Sequence, residues 1–155
     1  MSRKPPLRNA AAVIGMGTKL VTQDDPKINS LQLQLYACHD AIKAAGVDRH
    51  QIGAVYTCRA PMGYTALQWN LRIVQELKIV PTLTSEITVH GAGVLGTLAH
   101  AAMAVHSGAV DYALCCSGCT GPLCSGFLPA CCAASAAISP TSFCSVDSGC
   151  CRTRR

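Results

Sequence analysis

Val89-His90-Gly91-Ala92-Gly93-Val94-Leu95-Gly96 joins an apolar, β-branched segment to a run of small residues that continues to Ser107. Leu83 to Val89 reads as a buried strand. The stretch from about Gly91 to Ser107 reads as a helix, stopped by Gly108. It carries Gly, Ala and Thr on every side and no Asp, Glu, Lys or Arg. Such a helix lets other backbones approach closely all round, so it is expected in the middle of a larger structure. Where a strand passes through glycines into a helix, unpaired N–H groups and the positive end of the helix dipole meet. A thiol there shifts toward thiolate, and a substrate oxyanion is stabilised. Close packing that requires small residues explains the same glycines. Both readings stand at this stage.

The flanking segments alternate in type. Ala10 to Gly15 is a short apolar run ending in glycine and reads as a strand. Ser30 is the expected N-cap of a first helix, with Leu31, Leu35, Cys38, Ile42 and Ala45 at helical spacing and Gly46 as its stop. Ile52 to Thr57 is a second strand. A second helix carries Leu67, Leu71, Val74 and Leu77 on one stripe, widened by Trp69 and Ile73, with Pro81 ending it. Val110 to Cys116 is a fourth strand after the small-residue helix. Strands alternating with helices predict an α/β fold with a mostly parallel sheet and a buried central helix. Gly15-Met16-Gly17 suggests a dinucleotide fingerprint, but Leu20 stands where its third glycine belongs. A tight turn after the strand is the expectation.

Composition narrows the function classes. Of 155 residues, 50% are apolar and 14% charged, which suits a buried α/β core rather than a disordered chain. The net charge is +5, yet the Lys and Arg are scattered and aromatics make up only 5%, so no basic, base-stacking surface is expected and nucleic acid is not a predicted partner. The basic N-terminus lacks an apolar run of signal-peptide length. The uncharged segment 112–146 is broken by Pro122, Pro129 and Pro140, where a spanning helix needs about 20 mostly apolar residues. No membrane span and a cytoplasmic location are therefore expected.

The chain changes character near Gly118. Eleven cysteines are present, nine of them at or after Cys115. Three accounts of residues 119–155 compete. Cys116-Ser117-Gly118-Cys119 has the spacing of a metal knuckle, but a structural zinc site pairs two knuckles, so no metal is assigned. The same pair could serve redox chemistry but lacks a strand-to-helix context. Alternatively the tail is a frame-shifted product of GC-rich DNA: it has one acidic residue and no Asn, Gln or Lys. This third account is preferred here. It gives a domain at 1–118 and a Cys/Ala/Ser-rich tail at 119–155, expected to be poorly ordered. In a reducing compartment no disulfide framework is expected.

Residues 10–118, about two thirds of the chain, resemble the N-terminal domain of the thiolase superfamily, especially its sterol-carrier-protein-X and lipid-transfer-protein branch. The likeness lies in Ala11-Ala12-Val13-Ile14-Gly15-Met16-Gly17, in Ala37-Cys38-His39-Asp40-Ala41-Ile42-Lys43-Ala44-Ala45-Gly46-Val47-Asp48 and in Ile52-Gly53-Ala54-Val55-Tyr56. It is strongest from Val89 to Gly118, with Ala101 to Leu114 at its centre. The resemblance implies acyl transfer or carbon–carbon bond cleavage on acyl-CoA thioesters. Coenzyme A thioester is then the substrate, and no separate cofactor is implied. It also implies a homodimer pairing through this domain. The substrate-binding positions it marks are His90, Gly91 and Gly93, with His90 the one weak candidate for an acid or base. His100 and His106 read as packing or capping groups.

Two departures qualify what the resemblance implies. In catalytic members of the superfamily a cysteine opens the buried helix, followed by a small residue, Ser and Gly. Here the matching residues are Gly93-Val94-Leu95-Gly96. Glycine has no side chain to acylate, so covalent acyl-enzyme chemistry at that position is excluded, and the catalytic residue is unknown. The second is length: nothing after Gly118 resembles the family's second half. Cys150-Cys151 is followed by Arg152 rather than by glycine. Cys58 follows the second strand without an identifiable base and is not a predicted nucleophile. The expectation is an inactive fragment related to acetyl-CoA acetyltransferases. Its alternatives are a nucleophile-free carbon–carbon lyase completed by a partner chain, and a non-catalytic binding or assembly module.

Overall fold

The computed structural model describes residues 11–22, 28–58, 68–89, 92–119 and 130–140. The elements are β1 (Ala11–Thr22), α1 (Ser30–Ala45), a 3₁₀ turn (Arg49–Gln51), β2 (Ile52–Cys58), α2 (Trp69–Leu77), β3 (Leu83–Ile87), α3 (Gly93–His106), β4 (Tyr112–Cys119) and β5 (Ala130–Pro140). The five strands form one sheet in the order β1-β5-β4-β2-β3. β2 is parallel to β3 and to β4, and β5 runs antiparallel between β4 and β1. The sheet is therefore mostly parallel, as the alternating pattern predicts, with β5 as the exception.

Alternation along the strands sorts the core into two layers. Val55, Leu114 and Cys116 pack with Leu31, Cys38 and Ala41 of α1 and with Trp69, Ile73 and Leu77 of α2. Their neighbours Ala54, Tyr56, Ala113 and Cys115 pack with Ala101, Ala104 and Val105 of α3. β2 and β4 thus carry apolar residues on both faces, as strands covered on both sides must.

Local chemistry fixes the helix ends. Asn29, rather than Ser30, is the N-cap of α1: its side chain accepts from Gln32 N–H, and the Gln32 side chain accepts from Asn29 N–H. This reciprocal pair closes two of the helix's open donors. Gly46 ends α1 at φ 66°, the left-handed conformation that favours glycine. α2 has no side-chain cap of its own. Glu86 Oε2, from the adjacent β3, accepts from Trp69 N–H at 3.2 Å and sets a carboxylate at the positive end of that helix. α2 ends at Leu77, before Pro81, with Lys78 left-handed at φ 54°. Its buried stripe is Trp69, Asn70, Ile73 and Leu77, while the predicted stripe member Leu71 faces outward and Leu67 lies outside the described residues.

Two sequence expectations are corrected. Gly15 and Gly17 do not make a turn: β1 continues through them to Thr22. A methyl group at Gly17 would run into the Ala37 carbonyl of α1 and lie 2.5 Å from the Ala41 nitrogen, and one at Gly15 would strike the Ala41 carbonyl. These glycines let α1 lie directly against the strand. The second correction concerns the tail. Residues 130–140 form β5, paired along its length with β1 and β4, and Ala137, Ile138 and Ser139 are buried.

One polar brace ties the two helices of this layer to the sheet. Gln34, 2% exposed, donates from Nε2 to the Gly118 carbonyl at 2.8 Å and accepts from Trp69 Nε1 at 3.0 Å. Gln34→Leu strips both groups of that partner within the core. A loss of about 1–3 kcal/mol in urea unfolding is expected, since an unmade buried hydrogen bond costs the desolvation of the group left behind. A variant within about 0.5 kcal/mol of the wild type would show the brace to be dispensable.

Candidate functional site

The site lies at the C-terminal end of the parallel strands, where β2 and β4 finish and α3 begins. In α/β sheets this edge gathers strand ends and helix starts, and ligands bind there. Gly93 is the first residue of α3 and is buried. A Cβ built on it would lie 3.4 Å from Cys58 Sγ and 3.4 Å from the Ile87 carbonyl, which is ordinary contact. The position thus accommodates a Cβ and carries none. The N-cap, Ala92, makes no side-chain cap hydrogen bond. The predicted site residues His90 and Gly91 lie outside the described residues.

Sequence reasoning passed over the group that the fold brings to Gly93. Cys58 ends β2, on the same face as Tyr56, and its thiol stands beside the first turn of α3. The β2–β4 register sets Thr57 against Cys116, so Ser117 follows on the neighbouring strand end. Burial raises the Cys58 thiol above its ordinary value, while hydrogen bonds with the Ser117 and Thr97 side chains act to lower it. Among the described residues, what bears on this thiol is burial and two neutral hydroxyls, and the net effect holds it toward the protonated form. Thr97, one turn into α3, also donates from Oγ1 to the Val94 carbonyl at 2.7 Å and is itself buried. The signal available in the sequence was positional: Cys58 is the last residue of a parallel strand, and such residues meet the helix starts of the same sheet edge.

Three further thiols lie deeper. Cys115 donates to the Thr97 carbonyl at 3.4 Å, and Cys116 to the Tyr56 carbonyl at 3.7 Å. Burial pushes Cys115 from an ordinary 9.0 up to about 12. Cys116 is raised well above the ordinary value, first by its hydrogen bond with Cys38 and then by burial. None of Cys38, Cys58, Cys115 and Cys116 is in a disulfide. Among the described residues no group of three or more His, Cys, Asp or Glu side chains is placed to hold a metal ion.

These shifts have a stability consequence. In the unfolded chain Cys115 ionises near 9, and in the folded chain near 12. Its contribution is therefore complete below pH 9 and is lost as pH rises from 9 toward 12. Urea midpoints measured across that range are expected to fall, and to fall less steeply in Cys115→Ala. Identical slopes in the two proteins would show that the thiol is not held protonated.

His100 and His106 behave as structural groups. His100 Nδ1 is 2.8 Å from the Gly96 carbonyl one turn earlier, and its ring lies 6.2 Å from that of Tyr56. His106 closes α3. α3 itself lays Gly93, Thr97, Ala101, Ala104 and Val105 on the sheet. It turns Val94, Leu95 and Met103 outward, with Leu95 70% exposed. No helix among the described residues is long and apolar enough to cross a membrane.

No family model and no curated protein sequence matches this chain. Solved structures do. Xanthomonas campestris OleA, in a histidine-to-asparagine variant with cerulenin, superposes with a TM-score of 0.72 at 13% identity, over 86% of this chain and 58% of that one. A cysteine-to-serine variant of OleA with bound lauric acid and lauroyl-CoA gives 0.71 at 13% identity, over 86% and 57%. A glutamate-to-glutamine variant gives 0.72 at 14%, over 86% and 58%. OleA is a thiolase-superfamily enzyme, and the fold of this chain is thiolase-like. The chain spans less than two thirds of the OleA chains.

Proposed function

We propose that this chain is a thiolase-like domain that binds acyl-CoA and does not carry out covalent acyl transfer through position 93. The observation that carries the reading is Gly93 itself: the helix start that holds a cysteine in catalytic relatives presents bare backbone, where a Cβ would make ordinary contacts. Support for the ligand comes from the fold shared with OleA, one structure of which holds lauroyl-CoA. The motifs at Ala37–Asp48 and Ala101–Leu114 favour the sterol-carrier-protein-X and lipid-transfer branch. An inactive relative of the acyl-CoA acyltransferases is the primary reading. Cys58, Cys115 and Cys116, none of them in a disulfide, fit a reducing, cytoplasmic setting.

A second reading is favoured by the outward face of α3. Val94, Leu95 and Met103 leave an apolar flank on a helix without any Asp, Glu, Lys or Arg. A homodimer or partner chain covering that flank would bury it. Such a partner would also supply the acid–base groups that a nucleophile-free carbon–carbon lyase needs. Analytical ultracentrifugation of the purified chain, alone and with acyl-CoA, reads the assembly state.

The test of the primary reading uses the full chain and lauroyl-CoA as probe. Equilibrium dialysis is expected to show binding, chromatography no release of free CoA beyond the protein-free control, and intact mass no acyl adduct. Failure to bind would end the acyl-CoA reading. Binding with catalytic CoA release would end the claim of inactivity.

A further inference from the structure

We draw no further inference here: the strongest candidate, the Cys58 thiol at the end of β2 beside the first turn of α3, is a single cysteine at a helix start, and the unpartnered buried hydroxyl next to it in the chain, Thr57 Oγ1, lies on the opposite face of β2, so nothing among the described residues shows that a ligand sits on the thiol.

Discussion

Gly17→Ala is expected to cost this domain about 3 kcal/mol or more, enough to unfold a protein of ordinary marginal stability at moderate urea. The added methyl meets backbone, not a movable side-chain tip. It would overlap the Ala37 carbonyl and sit 2.5 Å from the Ala41 nitrogen and 2.9 Å from Asp40 Cβ. Relief requires α1 to lift off β1 and, with it, off the β5 and β4 face that the same helix covers. Gly15→Ala is expected to behave alike, with 2.6 Å to the Ala45 nitrogen and 2.8 Å to Ala45 Cβ. Gly96→Ala is the comparison, because its close neighbour, at 2.8 Å, is side chain rather than backbone: the Ile87 Cγ2 methyl, which gives only by a change of χ1 or a small shift of α3, so a loss smaller than that of Gly17→Ala is expected. Equilibrium urea unfolding ranks the three. If Gly17→Ala loses less than about 1 kcal/mol, α1 does not lie against β1 as described.

Gly93→Cys carries the second large effect. The new Cβ would make only ordinary contacts, 3.4 Å to Cys58 Sγ and 3.4 Å to the Ile87 carbonyl, and Gly93 does not occupy the left-handed region. The variant is therefore expected to fold, with stability within about 1 kcal/mol of the wild type. Its thiol would stand at the start of a 14-residue helix whose N-cap offers no side-chain oxygen. The open N–H groups and the helix dipole there favour thiolate. Incubated with lauroyl-CoA under reducing conditions, the variant is expected to go from no acyl adduct to about one per chain by intact mass. Gly93→Ser, with a far weaker nucleophile, is expected to stay unmodified. A folded Gly93→Cys protein that binds the thioester yet never acylates would defeat the idea that a missing sulfur is what separates this site from a covalent one.

Much of the architecture was legible in the chain. Leu31, Cys38 and Ile42 at helical spacing, with Gly46 behind them, marked α1 to within a residue of its observed ends. Ile52 to Thr57 and Leu83 onward marked β2 and β3, and the alternation of elements implied a parallel sheet. Gly93 was picked out as the candidate site position from local pattern and resemblance together, and the structure places it at the start of α3. These features are local: capping, period and the run of small residues act within a few positions of each other.

What escaped was decided by partners distant in sequence. Gly15 and Gly17 read as a turn because glycine's freedom is a local property, whereas the demand for them comes from residues 37–45 of α1, twenty or more positions onward. β5 was invisible because Ala, Cys and Ser have no period to detect. Its strand state comes from edges offered by β1 and β4: 130–140 pairs with the inner edge of β1 and completes the pairing of β4. Cys58 looked inert beside its own neighbours in the chain. The β2–β4 register and the return of α3 across the sheet put Ser117, Thr97 and the open backbone of Gly93 around it. Sequence alone settled α1, β2, β3 and the start of α3, because those elements depend on short-range sterics, capping and hydrophobic period. Tertiary structure alone settled which small residues touch and which thiols stay protonated, because contact and desolvation exist only once remote segments have closed on one another.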